Sequence, residues 1–300
     1  MRVFVTGASG YIGGTVAARL MAGGHRVTGL ARSTARAEQL RTVGIEPVIG
    51  SLDDSRVLAD VARRTDAVIN AADSDHRPAA EALIEALAGS GKPLLHTSGI
   101  SIVGDKAAGE PDDRIFTEET PLVPAPEKAP RVAIDRLVRD AATRKIRSVV
   151  LCNPLVYGRG LGLHPDSVQI PALAEQALVS GVARYIGRGL NIWSHAHVED
   201  VADLYLLALE QAPAGSFYFV ENGEASFRDM ADALASALRL GPSQSWTIDE
   251  AIAAWGYQRA VFSLGSNCRV RADRARRKLG WRPRHSSVVD WIRQDLAVPH

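Results

Sequence analysis

Apolar and polar positions alternate between two periods through the first half of the chain. Short β-type runs stand near residues 2–6, 26–31, 46–49, 66–70, 93–97 and 147–152. Between them apolar residues recur at helical spacing: Ile12, Val16, Leu20 and Met21; Ala82, Leu83, Ala86 and Leu87; Ile134, Leu137, Val138 and Ala141. Strands alternating with helices in this way predict a doubly wound α/β fold, a parallel sheet covered on both faces. From Pro154 the texture changes to loops rich in Gly and Pro. A helix is then expected near 199–211, a strand at 216–220, and helices near 226–239 and 248–254. The expected division is a Rossmann nucleotide-binding domain over 1–153, to which residues 197–220 return, and a smaller, mainly substrate-binding lobe over 154–300.

Composition narrows the partners. The 46% hydrophobic content suffices for a full core, and 35 basic against 34 acidic side chains leave no net field to draw nucleic acid or an anionic membrane. Two cysteines, Cys152 and Cys268, lie far apart with no His or Cys at ligand spacing, which argues against both a disulfide framework and a metal site. The chain opens on the apolar run Val3 to Val5 without a charged-then-apolar leader, and no stretch reaches the roughly 18 apolar residues of a membrane span. A cytoplasmic protein acting on a small molecule is therefore expected.

The first strand runs straight into Thr6-Gly7-Ala8-Ser9-Gly10-Tyr11-Ile12-Gly13-Gly14. Gly7, Gly10 and Gly13 sit between a strand and a helix that starts near Tyr11, the arrangement a pyrophosphate-binding turn requires: a tight backbone turn, close approach to the ligand, and a helix N-terminus offering free N–H groups. The second strand ends Leu30-Ala31-Arg32-Ser33. An NAD site places an acid at this strand end to hold the ribose 2′-hydroxyl, whereas an arginine accommodates a 2′-phosphate. Arg32, with Arg36 as a second cation, points to NADP(H), with NAD(H) the alternative.

These features together resemble the extended short-chain dehydrogenase/reductase superfamily, which contains sugar-nucleotide epimerases, 3β-hydroxysteroid dehydrogenases and dihydroflavonol reductases. The resemblance runs along nearly the whole chain. GSLDD around Asp53 is similar to the segment whose Asp meets the adenine, and VINAAD, with Ala71 and Ala72, to the strand end lining the cofactor. NPLVYGRG resembles the Arg-Pro segment leading into the substrate lobe, with Asn153 for the usual arginine, followed by Pro154 and Val156. HAHVEDVADLYLLALE and ADRARRKLGWRP resemble two later family motifs. The resemblance implies that Gly7, Gly10, Tyr11, Ile12, Gly13, Arg32, Ser33, Asp53, Ala71, Ala72, Thr97, Arg131, Asn153, Pro154 and Val156 hold the cofactor, and that the protein forms a homodimer through sheet-flanking helices.

The family active site pairs a Tyr with a Lys four residues later, and here that pair is missing. Four positions after Tyr11, Tyr157, Tyr185, Tyr205, Tyr218 and Tyr257 come Thr15, Leu161, Gly189, Leu209, Asn222 and Val261. Counting back from Asp135-Arg136-Leu137-Val138 puts Glu127 at the Tyr position and Arg131 at the Lys position. Arg131 anchors without relaying a proton, since guanidinium does not deprotonate in proteins. Glu127 is a carboxylate base that stays ionised if Arg131 pairs with it, although two such residues four apart also form ordinary surface pairs. The direct register places Gly99 at the family's catalytic hydroxyl, with Thr97, Ser98 and Ser101 around it; Ser98 is chosen to bond substrate, against simple capping of the strand end. His195 and His197 are read as structural and not as metal ligands, for want of a third ligand. Trp193 stands near the position of a diphosphate-binding arginine in sugar-nucleotide enzymes, which favours an uncharged substrate walled by Trp193, Trp246, Trp255 and Tyr257.

Three functional classes fit: an NADP(H)-dependent oxidoreductase acting on a small carbonyl or hydroxyl compound with non-standard acid and base residues, which is preferred; a redox-neutral isomerase or lyase using Glu127 beside a bound nucleotide; and a non-catalytic NADP-sensing protein.

Overall fold

In the computed structural model, which describes residues 1–296, the predicted strands and helices alternate as the periodicity requires. The first half runs β1 (Arg2–Thr6), α1 (Tyr11–Ala22), β2 (Arg26–Ala31), α2 (Thr34–Thr42), β3 (Glu46–Ile49), α3 (Ser55–Arg64), β4 (Ala67–Asn70), α4 (Arg77–Leu87), β5 (Pro93–Gly99), α5 (Ala129–Asp140) and β6 (Arg147–Asn153). The second half contains β7 (Leu155–Tyr157), α6 (Gln169–Ser180), β8 (Arg184–Ile186), β9 (Ile192–His197), α7 (Val198–Gln211), β10 (Ser216–Phe219), β11 (Glu224–Ser226), α8 (Phe227–Ala237), β12 (Gln244–Trp246), α9 (Ile248–Trp255), α10 (Asp273–Leu279) and α11 (Val288–Gln294).

Seven strands form one sheet in the order β10-β6-β5-β4-β1-β2-β3, with every pairing parallel. Burial on both faces explains the near-continuous apolar runs: all four residues of β4 and six of seven in β6 are buried. The core divides into two apolar layers, one on each side of this sheet, as helix-covered parallel sheets require. The strand order reverses between β4 and β1, which opens a crevice at the carboxyl ends of those strands, where ligands bind in open α/β sheets. Residues 198–219 lie against the large sheet: β10 pairs with β6, and α7 packs beside α1.

Beyond β6 the chain builds a lobe from short elements, a three-stranded sheet β11-β9-β7 and a two-stranded sheet β12-β8. Strands β7, β8, β11 and β12 have three residues each and carry no readable alternation, and the stretch from Pro154 to the start of α7, which holds α6 and the six-residue β9, reads as loop in the sequence. A π-helical turn spans Gln258–Leu264 directly after α9. Among the described residues, no helix is long and apolar enough to cross a membrane, and no three His, Cys, Asp or Glu side chains gather as a metal site.

Candidate functional site

Two cavities lie at the carboxyl edge of the sheet, one on each side of the β4–α4 connection. The first, of about 480 Å³, is lined by the glycine turn, by Arg32, Ser33 and Arg36 at the end of β2, and by Ala71, Ala72 and Asp73 after β4. Its floor is backbone. Gly7 adopts φ +73°, and a Cβ there would lie 2.7 Å from the Ala71 carbonyl oxygen. A Cβ on Gly13 would lie 2.4 Å from the Gly7 carbonyl oxygen, so only glycine lets α1 start this close to the turn. Gly10 caps α1 without a side-chain bond, which leaves the helix's first N–H groups for a ligand. Tyr11 does not point its hydroxyl at the turn; it donates to the Gly158 carbonyl at 2.8 Å and ties α1 to the second lobe.

Deeper along the sheet, Thr97 Oγ1 lies 2.8 Å from the Tyr205 hydroxyl, to which Asn153 Nδ2 also donates at 2.9 Å. Through the buried Tyr205 and Asn153 and the half-buried Thr97 the ends of β5 and β6 are held together, with Pro154 and Val156 buried just beyond. Asp53 departs from expectation: its carboxylate is largely exposed and meets His76 at 3.1 Å, while the neighbouring Leu52 lines the cavity.

The second cavity, of about 890 Å³, lies between the first domain and the second lobe. Asp75, Ser101, Glu127, Lys128 and Arg131 face Trp255 and Tyr257 across it. Glu127 and Arg131 line the same cavity, but they do not pair with each other. Arg131 forms a two-pronged ion pair with Asp75 and donates through Nη1 to Ser101 Oγ at 3.1 Å. The guanidinium holds the Asp75 carboxyl below its usual range. Glu127 instead accepts from Lys106 Nζ at 2.6 Å and from the Tyr257 hydroxyl at 3.3 Å, and the lysine contact keeps its carboxyl below the usual glutamate range. Burial, followed by the charge of Arg131, lowers Lys128, whose ammonium donates to Gln258 at 3.3 Å and lies 4.6 Å from the Phe262 ring centre.

Ser98 requires a correction. It is buried and donates to Asp135 Oδ2 at 2.8 Å, away from the cavity. Alternation along β5 puts Thr97 and Ser98 on opposite faces, and the hydroxyl that reaches the cavity is Ser101, just after the strand. Beneath Ser98, burial raises Asp135 to about 7 and lowers His96 to about 4. Their nearest atoms are 3.9 Å apart, beyond hydrogen-bond reach, so this is a contact between two groups kept from charging and not an ion pair.

The aromatic walls are only half as expected. Trp255 and Tyr257 line the cavity, whereas Trp193 is buried with its indole N–H donating to Ser266, and Trp246 packs on Trp255 with ring centres 5.0 Å apart. His195 and His197 flank Tyr157 edge-on at 5.3 Å each, and His197 caps α7 by accepting from the Glu199 N–H. Asp75, Lys106 and Lys128 went unread in the sequence. The only signal was the position of Lys128 directly after Glu127.

Residues 3–220 match the NAD dependent epimerase/dehydratase family. The chain belongs to that family. It is an enzyme of the extended short-chain dehydrogenase/reductase type, and the matched region holds the glycine turn and all seven strands of the large sheet apart from Arg2, the first residue of β1. The chain is 31% identical to the oxidase ucsJ of Acremonium sp., over 94% of this chain and 92% of that protein. It is 27% identical to the 4-hydroxy-2-methyl-3-oxo-4-farnesyl-3,4-dihydroquinoline-1-oxide ketoreductase of Stigmatella aurantiaca, over 100% of this chain and 99% of that one. In fold it is similar to the UDP-glucose 4-epimerase of Thermotoga maritima, with a TM-score of 0.77 at 16% identity, covering 98% of this chain and 96% of the other.

Proposed function

We propose that the protein is an NADP(H)-dependent oxidoreductase acting on a small carbonyl or hydroxyl compound, with Glu127 in place of the family tyrosine. The observation that carries this reading is the adjacency of the two cavities: the glycine-turn cleft ends at Asp73, and the larger cavity begins at Asp75, two residues on. The cleft fits a dinucleotide, because Gly7 and Gly10 line it with bare backbone and the start of α1 has no side-chain cap. Gly7, Gly10 and Gly13 would hold the pyrophosphate, and Arg32, Ser33 and Arg36 a 2′-phosphate. A bound nicotinamide dinucleotide supplies hydride exchange at the carbon of the substrate.

The chain's own residues do the rest. Ionised Glu127 accepts the hydroxyl proton in the oxidative direction. In the reductive direction Lys128 and the Tyr257 phenol are donors lining the same cavity. Arg131, a permanent cation bonded to Ser101, holds oxygen atoms at the cavity floor and moves no proton. Trp255 and Tyr257 offer flat apolar faces, which suit an uncharged cyclic or aromatic compound. The names of relatives that are a ketoreductase and an oxidase support this class. The test is NADPH absorbance with purified protein and a panel of cyclic ketones and enones. A fall with at least one of them is expected, and a flat trace across the panel counts against the proposal.

A further inference from the structure

We infer that the 2′-phosphate end of the nucleotide cleft is completed from the second lobe by His164, which acts on the phosphate together with Arg32, Ser33 and Arg36. This rests on the NADP(H) reading above. His164 lines the same cavity as those three residues although it lies 128 positions beyond Arg36. Its Nε2 is 3.3 Å from Arg36 Nη1, a distance at which the guanidinium donates to the ring nitrogen and its fork is held over the cavity. The Ser33 hydroxyl oxygen accepts from the Arg36 N–H at 3.2 Å, which leaves its hydrogen for an anion. α2 begins at that serine with no acidic residue in its first turn.

The imidazole is not there by the accident of a loose loop. The strap that carries it, residues 158–165, is tied to α1, the helix of the glycine turn. Gly158 accepts from Tyr11, Leu161 N–H donates to Thr15 Oγ1 at 3.1 Å, and Gly160 N–H closes the strap on the Pro165 carbonyl at 2.7 Å. Gly162 packs so tightly on α1 that a Cβ on it would lie 2.7 Å from Gly14 Cα. The glycine turn and His164 are thus fixed to the same helix. The strap gives the cleft a wall that the β2 end alone cannot provide, and it places an imidazole beside Arg36.

The experiment is a fluorescence titration of the purified protein with NADPH and, separately, NADH, in wild type, His164→Ala, His164→Gln and Arg32→Ala. His164→Ala is expected to weaken NADPH roughly tenfold, the worth of one hydrogen bond to a charged group, while leaving NADH unchanged. His164→Gln, which can both accept from Arg36 and donate to a phosphate oxygen, is expected to restore most of the loss. NADPH affinity unaltered in His164→Ala, or NADPH and NADH weakened equally, overturns the inference. Arg32→Ala separates the two readings: if it weakens NADPH and His164→Ala does not, His164 alone is wrong; if wild type binds both nucleotides equally and Arg32→Ala changes neither, the NADP(H) reading fails with it.

Discussion

The two cavities at the sheet edge are built on opposite principles. The glycine-turn cleft is mostly backbone: a glycine turn, an uncapped helix start and two strand ends, most of it within the first 73 residues. The larger cavity is made of side chains that arrive from residues 75, 101, 127–131 and 255–263. Backbone sites are set by local sequence, because close approach and a positive φ leave little choice but glycine. Side-chain sites depend on which way each residue turns and on what long-range packing brings opposite it. Local sequence can therefore keep a glycine turn while the side chains of the neighbouring cavity change, and this chain combines the turn with the absence of any Tyr-x-x-x-Lys pair.

The sharpest way to separate the regions is to damage one and measure the other. Glu127→Gln is expected to lower turnover by roughly 10²- to 10⁴-fold while nucleotide affinity stays as in wild type, since the residue lies outside the cleft. Because Lys106 holds the Glu127 carboxyl below its usual range, the base stays ionised as pH falls, and the acid limb of the oxidative rate should lie below the ordinary glutamate range. Steady-state rates on an accepted substrate, with a nucleotide titration alongside, check both statements. A fully active variant would make Glu127 part of a surface pair and move the proton to Lys128, Tyr257 or water.

The reverse damage is Gly13→Ala. Its methyl must displace the Gly7 carbonyl, so nucleotide affinity should fall by about 10²-fold, the upper end of what overpacking costs, while the chain remains folded. Circular dichroism and the same titration read this, and unchanged affinity would mean that the turn does not touch the nucleotide.

How much was legible follows the same division. The seven strands and the glycine turn were readable because period and glycine spacing encode them locally. Ser98 was misjudged because a strand's alternation fixes which residues share a face but not which face meets the cavity. The pairing of Glu127 with Lys106, and of Arg131 with Asp75, was invisible because neither partner is near in sequence. Trp193 was taken for a wall because an indole suits a cavity as well as it suits the core.

A smaller effect probes the layer beneath both cavities. Asp135 is raised from 3.8 to about 7, so the folded protein keeps a proton that the unfolded chain releases; its contribution is full below about pH 4 and is lost as pH rises through 7. His96, lowered from 6.5 to about 4, works the other way, and its contribution is lost as pH falls from 6.5 towards 4. Asp135→Asn should remove the first dependence only, gaining about 2 kcal/mol on wild type at pH 8 relative to pH 5. Urea midpoints at the two pH values measure it, and a pH-independent difference would show that Asp135 does not keep its proton.

Net redox chemistry in the larger cavity would leave an isotopic trace on the product. The protein is incubated with NADPH carrying deuterium at the transferable position and a cyclic ketone that it consumes, and the product is read by mass spectrometry. One deuterium on the former carbonyl carbon, in step with the NADPH oxidised, is the result expected. A product formed without deuterium while NADPH remains intact would make the protein a redox-neutral isomerase or lyase and contradict the account.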